Sequence, residues 1–170
     1  MSGSLRFDDP GQRFKRFALV FTDGGTMVLR DPRRLGRVTL DPARGRLGSD
    51  VLEVSLERFR DLVGRSRAPV KARLLNQQAL AGVGNLLADE ALWRAGIDPR
   101  RRGTDLDDEE LARLRRAVRA AIRGAIRVGG TGRTGFARAR GRGICPRDGS
   151  PLATAQVGGR TTRWCQLDQH

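Results

Sequence analysis

The stretch AGVGNLLADE, residues 81–90, constrains this chain more than any other. Gly82 and Gly84 stand one residue apart and interrupt the apolar-striped segment VKARLLNQQAL (70–80). A second apolar run, LLADEALWRA, follows Asn85 and ends at Gly96, with Pro99 beyond. Glycine takes positive φ at no steric cost, and its missing Cβ lets another group come close. Asparagine is a favoured helix N-cap. The pattern therefore predicts helix, tight turn, helix, with Asn85 as the cap. Such a helix start presents unpaired N–H groups at the positive end of the macrodipole, where an anion binds. Two readings stand for the two glycines: close packing of the helices, or close approach of a phosphate.

Charge bears on that choice. Lys+Arg total 33 against 19 Asp+Glu, a formal +14 with a pI near 11.6. An excess of this size points to a polyanion, because each phosphate neutralised releases condensed counterions. Lys15 and Lys71 are the only lysines. Arginine stays protonated, so it forks onto phosphate but cannot serve as an amine nucleophile. No apolar run reaches the length of a membrane span, and no apolar stretch follows a basic start. The expectation is a cytoplasmic, nucleoid-associated chain whose two cysteines are thiols or metal ligands rather than a disulfide.

Before the glycine turn, FALVF (17–21), Thr22-Asp23-Gly24-Gly25 and TMVLR (26–30) predict a β-hairpin. The Arg-rich loop DPRRLGRV leads to a short strand expected at Val38–Leu40. Residues 55–64 predict a short helix capped by Ser55. Asp107 and Glu110 form a capping box for the longest helix, with Leu111, Leu114, Val118, Ala121, Ile122 and Ala125 on one face. Arg113, Arg116, Arg119, Arg123 and Arg127 occupy the other, as a solvated surface or as phosphate contacts. Residues 129–143, GGTGRTGFARARGRG, read as a flexible basic linker or loop suited to phosphate contact. The remaining tail reads as a β-ribbon turning at Gly158-Gly159. The fold class expected is α+β, in three parts: 1–48, a remnant antiparallel sheet; 49–131, a helical bundle; and 132–170, the ribbon.

The string PVKARLLNQQALAGVGNLLADEALWRAGIDPRR resembles the helix–two-turn–helix segment of the formamidopyrimidine-DNA glycosylase and endonuclease VIII family. MSGSLRF and LVFTDGGTMVLRDPRRLGRV are similar to the family's late N-terminal sheet. CPRDGSPL with GGRTTRWCQLDQ is similar to its terminal zinc ribbon. The resemblance implies that Lys71, Gly84 and Asn85 grip phosphate together with the ribbon arginine, Arg160. It implies that Met1, Arg34 and Leu35 fill the void left by an everted nucleotide, where apolar contact offsets lost stacking. Leu35 stands where an aromatic is usual, and the other reading of it is a core leucine.

Two departures from the family bear on function. The family's chemistry rests on an N-terminal proline amine followed by glutamate. The amine attacks the sugar C1′, forms a Schiff base and permits β-elimination. This chain begins Met1-Ser2, past that site, so the expectation is a DNA-binding member without glycosylase or lyase chemistry. A start upstream, restoring an active bifunctional enzyme, is the alternative. An RNA- or ribosome-associated module is another, since the helical motif and the charge suit both polyanions. The shortened sheet is expected to expose edges, favouring self-association or a protein partner.

The second departure is in the ribbon, where the family's four cysteine positions are Cys145, Asp148, Cys165 and Asp168. Structural zinc favours thiolate and imidazole ligands. Either two carboxylates, or His170 in place of Asp168, complete a weak zinc site, or the ribbon is metal-free and each Asp caps its own turn.

Overall fold

A computed structural model describes residues 3–8, 11, 13–42 and 47–170. They form two compact units that divide after residue 43. The sequence reading places a further boundary at 131/132. In the structure the ribbon and the helices form one unit, because the ribbon is bonded to two helices at several points, as detailed below.

The first unit is a three-stranded antiparallel sheet in the order β1-β3-β2: β1 (Ser4–Phe7), β2 (Lys15–Val20) and β3 (Thr26–Arg30). The expected hairpin is present, with Val20 opposite Thr26. Gly24 and Gly25 both take positive φ, and a Cβ on Gly25 would meet the Phe7 ring at 2.8 Å. The strand expected at Val38–Leu40 does not form, and Leu40 is almost fully exposed. Among the described residues no neighbouring strand offers it a ladder of hydrogen bonds, and β propensity alone does not hold an isolated segment. Val28 is the one buried apolar side chain among the described residues of this unit, while Leu5, Phe7, Leu19 and Val20 are exposed. That burial leaves little to offset chain entropy.

The second unit carries the core. Ser55 caps α1 (Leu56–Phe59), its hydroxyl accepting from the Arg58 N–H. The chain then continues as a wider π turn to Gly64. α2 (Val70–Leu75) is shorter than the apolar stripe suggests. Asn76 ends it: its side-chain oxygen accepts from the Gln78 N–H, an Asx turn that competes with helix continuation. Leu80–Ala81 (β5) then pairs in parallel with Ser49–Asp50 (β4). α3 (Asn85–Ala95) packs against α4 (Asp108–Arg127). All six expected apolar residues of α4 are buried, together with Ala117. Phe59, Val63, Leu74, Leu92 and Ile97 complete the centre of the core.

Residues 131–142 fold as short turns around α5 (Gly135–Ala139) rather than as a linker. Phe136 is fully buried and stacks on Trp93 at 5.4 Å. Glu90, also fully buried, accepts from the Ala137 N–H (3.0 Å) and the Thr134 hydroxyl (3.3 Å). One aromatic and one carboxylate thus give a Gly- and Arg-rich segment a fixed seat on α3. The ribbon hairpin, β6 (Ala153–Val157) and β7 (Arg160–Trp164), ends the chain.

The capping box on α4 forms in both directions, with Glu110 N–H to Asp107 at 2.7 Å and Asp107 N–H to Glu110 at 3.0 Å. Glu110 also takes a forked bond from Arg101, at 2.5 and 2.9 Å. That bond holds the Glu110 carboxyl below its ordinary 4.5, against the opposing effect of burial. A depressed carboxyl stabilises the fold above its unfolded pKa and loses that contribution as pH falls through the folded value. Glu110→Gln should therefore lower stability at pH 7 by roughly 1–2 kcal/mol. The deficit should shrink below about pH 4 as the wild-type carboxylate takes up a proton and loses the charge that the variant already lacks. Chemical denaturation at the two pH values measures both effects.

Candidate nucleic-acid interface

The glycine turn delivers the start of α3 to an open pocket of about 570 Å³. Asn85, Arg140, Arg160 and Arg163 line it with Gln156 and Thr161, and no acidic side chain among the described residues does. Gly84, not Asn85, is the N-cap, in extended backbone and with no side-chain cap bond; Asn85 is the first helical residue. Asn85 is bonded away from its own helix, its amide donating to the Thr161 carbonyl at 3.2 Å. The leading N–H groups of α3 are thereby left without a side-chain acceptor, an arrangement suited to an anion. A Cβ on Gly84 would meet nothing within 4 Å. Internal helix packing therefore does not explain that glycine, and the space beside it is open. Gly82 has the other use: its φ of +97° makes the turn.

Arg160 opens β7 and is exposed at the pocket, directly after the Gly158-Gly159 turn. Both glycines take positive φ. A Cβ on Gly158 would lie 2.9 Å from Ala72 Cα, so the hairpin tip rests against the α2 backbone. Contact at that tip sets how far Arg160 stands from α3.

Lys71 is not available to a phosphate where it lies. The side chain expected to present a point charge to the ligand is fully buried in this structure. Its ammonium pairs with Asp89 at 2.7 Å and donates to the Thr162 hydroxyl at 2.6 Å and the Thr161 carbonyl at 3.4 Å. Three donors with three acceptors leave no proton for an outside ligand. Asp89 is buried too, and Arg140 pairs with its second oxygen at 2.8 Å. Burial pushes the Lys71 ammonium down and the Asp89 carboxyl up from their ordinary values, while their mutual attraction opposes both shifts. Lys71 therefore joins α2, α3 and β7 from beneath the pocket.

In the first unit, Arg34 and Leu35 lie in the loop after β3. Asp31 organises this loop by accepting from the Gly36 N–H (2.5 Å) and the Arg33 N–H (3.2 Å). Those N–H groups, Gly36 foremost, hold its carboxyl below the ordinary range. Arg34 takes φ +57°, an uncommon conformation for a side-chain-bearing residue, and is exposed. Leu35 is 71% exposed, which removes the core-leucine reading. Met1 lies outside the described residues.

In the ribbon, one sulfur or oxygen from each of Cys145, Asp148 and Cys165 lies within 4.8 Å of the others. Asp168 is not among them: it is ion-paired with Arg147, whose guanidinium also lies 4.0 Å over the Trp93 ring. His170 does not replace it. Its backbone is bonded to Gly96 and Asp98, and its side chain is exposed. The Cys165 thiol donates to Asp148 at 3.1 Å and lies 3.3 Å from the Ser150 hydroxyl. Ser150, through its side chain and its N–H, draws the Asp148 carboxyl down to about 2, and burial pushes the Cys165 thiol up. Structural zinc takes four converging donors. Here three converge and the fourth is spent on arginine, so the four positions do not fit a closed zinc site.

Sequence reading missed Asp89, Arg140 and the Thr161 carbonyl. The signal for the first was present: Asp89-Glu90 is a pair of acids inside an apolar helical run, a place where carboxylates persist only with buried partners.

A short helix, a two-glycine turn and a longer helix, with a basic hairpin beside the second helix's start, define a helix–two-turn–helix nucleic-acid-binding class. Residues 47–137 match the formamidopyrimidine-DNA glycosylase H2TH domain. The formamidopyrimidine-DNA glycosylase of Roseiflexus sp. is 36% identical over 192 residues, covering 97% of this chain and 70% of its own. The crystal structure of the MutM (Fpg) protein from Thermus thermophilus superposes with a TM-score of 0.80 at 36% identity, over 99% of this chain and 73% of that one. The Lactococcus lactis glycosylase, crystallised non-covalently bound to AP-site DNA, gives 0.79 at 25% identity, over 99% and 71%. The chain belongs to the formamidopyrimidine-DNA glycosylase family.

Gly158→Ala tests the seat of the hairpin. The substitution places a Cβ against Ala72 in a left-handed backbone, and should cost roughly 1–3 kcal/mol. A thermal melt reads this cost. Gly84→Ala, with open space around the new methyl, should cost well under half as much.

Proposed function

We propose that this chain binds damaged or abasic duplex DNA through backbone phosphates, with the uncapped start of α3 and Arg160 as the grip. The observation that carries the reading is the pocket itself, which joins a helix N-terminus to three arginines with no acidic lining. The formal charge of +14 supports it, and so does the Lactococcus lactis relative, whose crystal holds AP-site DNA. The exposed Leu35 on its Asp31-ordered loop is the proposed wedge, with Arg34 beside it. The first unit's exposed strands are the proposed site of self-association or of a protein partner.

Base removal and strand cleavage are not proposed for these 170 residues. Such chemistry needs a free amine poised at the sugar. Of the two side-chain amines, Lys71 is sealed in its ion pair and Lys15 lies on a strand of the small sheet. A second reading rests on coverage: the Roseiflexus enzyme extends beyond the 70% matched here. In a polypeptide holding more than these residues, the same grip would serve an active glycosylase and lyase. Borohydride trapping on abasic duplex separates the two. The 170-residue chain should give no covalent adduct, and a trapped adduct at enzymatic rates overturns the first reading.

DNA binding is tested by titrating a labelled duplex with a central abasic analogue at several salt concentrations. Arg160→Ala should weaken binding and flatten the slope of log K against log salt by about 0.9, the loss of one phosphate contact. An unchanged slope and affinity would remove Arg160 from the grip. Structured RNA competing as well as the abasic duplex would favour an RNA-associated module.

We propose further that the ribbon stands without zinc. The Cys165–Asp148 bond, the Arg147–Asp168 pair and the buried Gln169, which bonds to Cys165 N–H and the Ile97 carbonyl, hold its turns. Metal analysis of the purified chain should find zinc well below one equivalent, and a strong chelator should leave the melting temperature unchanged. Stoichiometric zinc, or a melt lowered by chelator, contradicts this.

A further inference from the structure

We propose that Arg140 is the positioning residue of the phosphate grip: it holds the ribbon hairpin on α3, so that the Asn85 amide can leave the Thr161 carbonyl for a DNA phosphate. The inference rests on the DNA-binding reading above.

Arg140 reaches its place because residues 131–142 are seated on α3 by Glu90 and by the Phe136–Trp93 stack. From there it bonds in three directions. Its Nε pairs with Asp89 at 2.8 Å, and its Nη2 donates to the Thr161 carbonyl at 2.6 Å. Its own carbonyl accepts from Arg163 Nη1. Arg140 therefore links the α5 segment, α3 and β7 at one point.

The Thr161 carbonyl receives donors from Arg140 (2.6 Å), Asn85 (3.2 Å) and Lys71 (3.4 Å). A carbonyl oxygen has two lone pairs, so three donors exceed what it can satisfy well. Arg140 makes the shortest of these bonds, and it is charge-assisted. The Asn85 bond is long and neutral, and the amide's own oxygen, though buried, has no partner among the described residues. Releasing the Asn85 N–H costs little while Arg140 keeps the carbonyl satisfied. Without Arg140, Asn85 would be divided between holding the hairpin and meeting the ligand.

Arg140 is not itself suited to gripping DNA. Its side chain is 17% exposed, and its Nε faces a buried carboxylate. This separates positioning from direct contact. A direct contact carries a counterion-release slope, and a residue acting through Asn85 does not.

The test measures binding of the full chain to the abasic-analogue duplex across a salt series, for wild type, Arg140→Gln, Arg140→Lys, Asn85→Ala and the double variant Arg140→Gln/Asn85→Ala. Arg140→Gln should raise Kd by about tenfold with the salt slope unchanged. Arg140→Lys, which keeps a cation on Asp89, should recover part of the loss. It is the variant that decides if Arg140→Gln fails to fold. The double variant should bind no worse than about twofold below the weaker single variant, because the two residues act through one contact. An affinity within twofold of wild type, additive losses, or a slope lowered by about one overturns the proposal. A wild-type chain that ignores the duplex overturns the DNA-binding reading instead, so the two failures are distinct.

Discussion

The second unit depends on one buried carboxylate. Asp89 lies inside the apolar run of α3, with Lys71 on one oxygen and Arg140 on the other. A charge withdrawn from water is costly unless it is paired and further bonded, and a buried pair often adds little net stability compared with apolar side chains of the same size. Its effect is on arrangement. Lys71 comes from α2 and Arg140 from the segment after α4, and both also reach the β7 backbone at Thr161. Moving any of these elements would strand a charge, so the helices and the hairpin share one relative position.

That arrangement places an unguarded helix start beside an arginine-bearing hairpin. The cluster's positive charges are consumed internally, and Arg160, at the start of the same strand, remains exposed. Cations that build the site are thus separate from those left for a ligand. The distinction matters in a chain with 33 basic residues, because neither number nor proximity identifies a phosphate contact. Lys71 and Arg160 both stand near the pocket, yet solvent reaches only one of them.

The two units differ in how far burial holds them. The second has a continuous aliphatic core, and its ribbon turns are tied by hydrogen bonds and an ion pair around Cys165, Asp148, Arg147 and Asp168. Among the described residues, the first has a single buried apolar residue under three strands, and β1 and β2 form the edges of its sheet. Its ordered feature is the Asp31 loop, where side-chain bonds to backbone N–H groups replace packing.

Much of this was legible in the sequence where local chemistry sets local structure. The Asp107–Glu110 capping box, the buried face of α4, the Ser55 cap and the Gly24-Gly25 turn depend on residues a few positions apart, and each formed as the pattern dictates. The family likeness was carried by contiguous strings, and it too was readable. Partners distant in the chain were not. A segment read as a flexible linker or loop became a seated one because Glu90 and Trp93 meet it from 43 or more residues away, with Thr134 and Ala137 bonded to Glu90. The family resemblance put Asp168 in a metal-ligand position, whereas in the structure its carboxylate is paired with Arg147. Lys71 has the residue type of a phosphate ligand, and only the packing of α3 beneath β7 buried it against Asp89. Sequence determined the capped helices, the glycine turns and the two hairpins, because those choices are made by short-range sterics and hydrogen bonds. Tertiary structure decided which charges face the ligand, because burial and pairing depend on residues that the chain separates and the fold brings together.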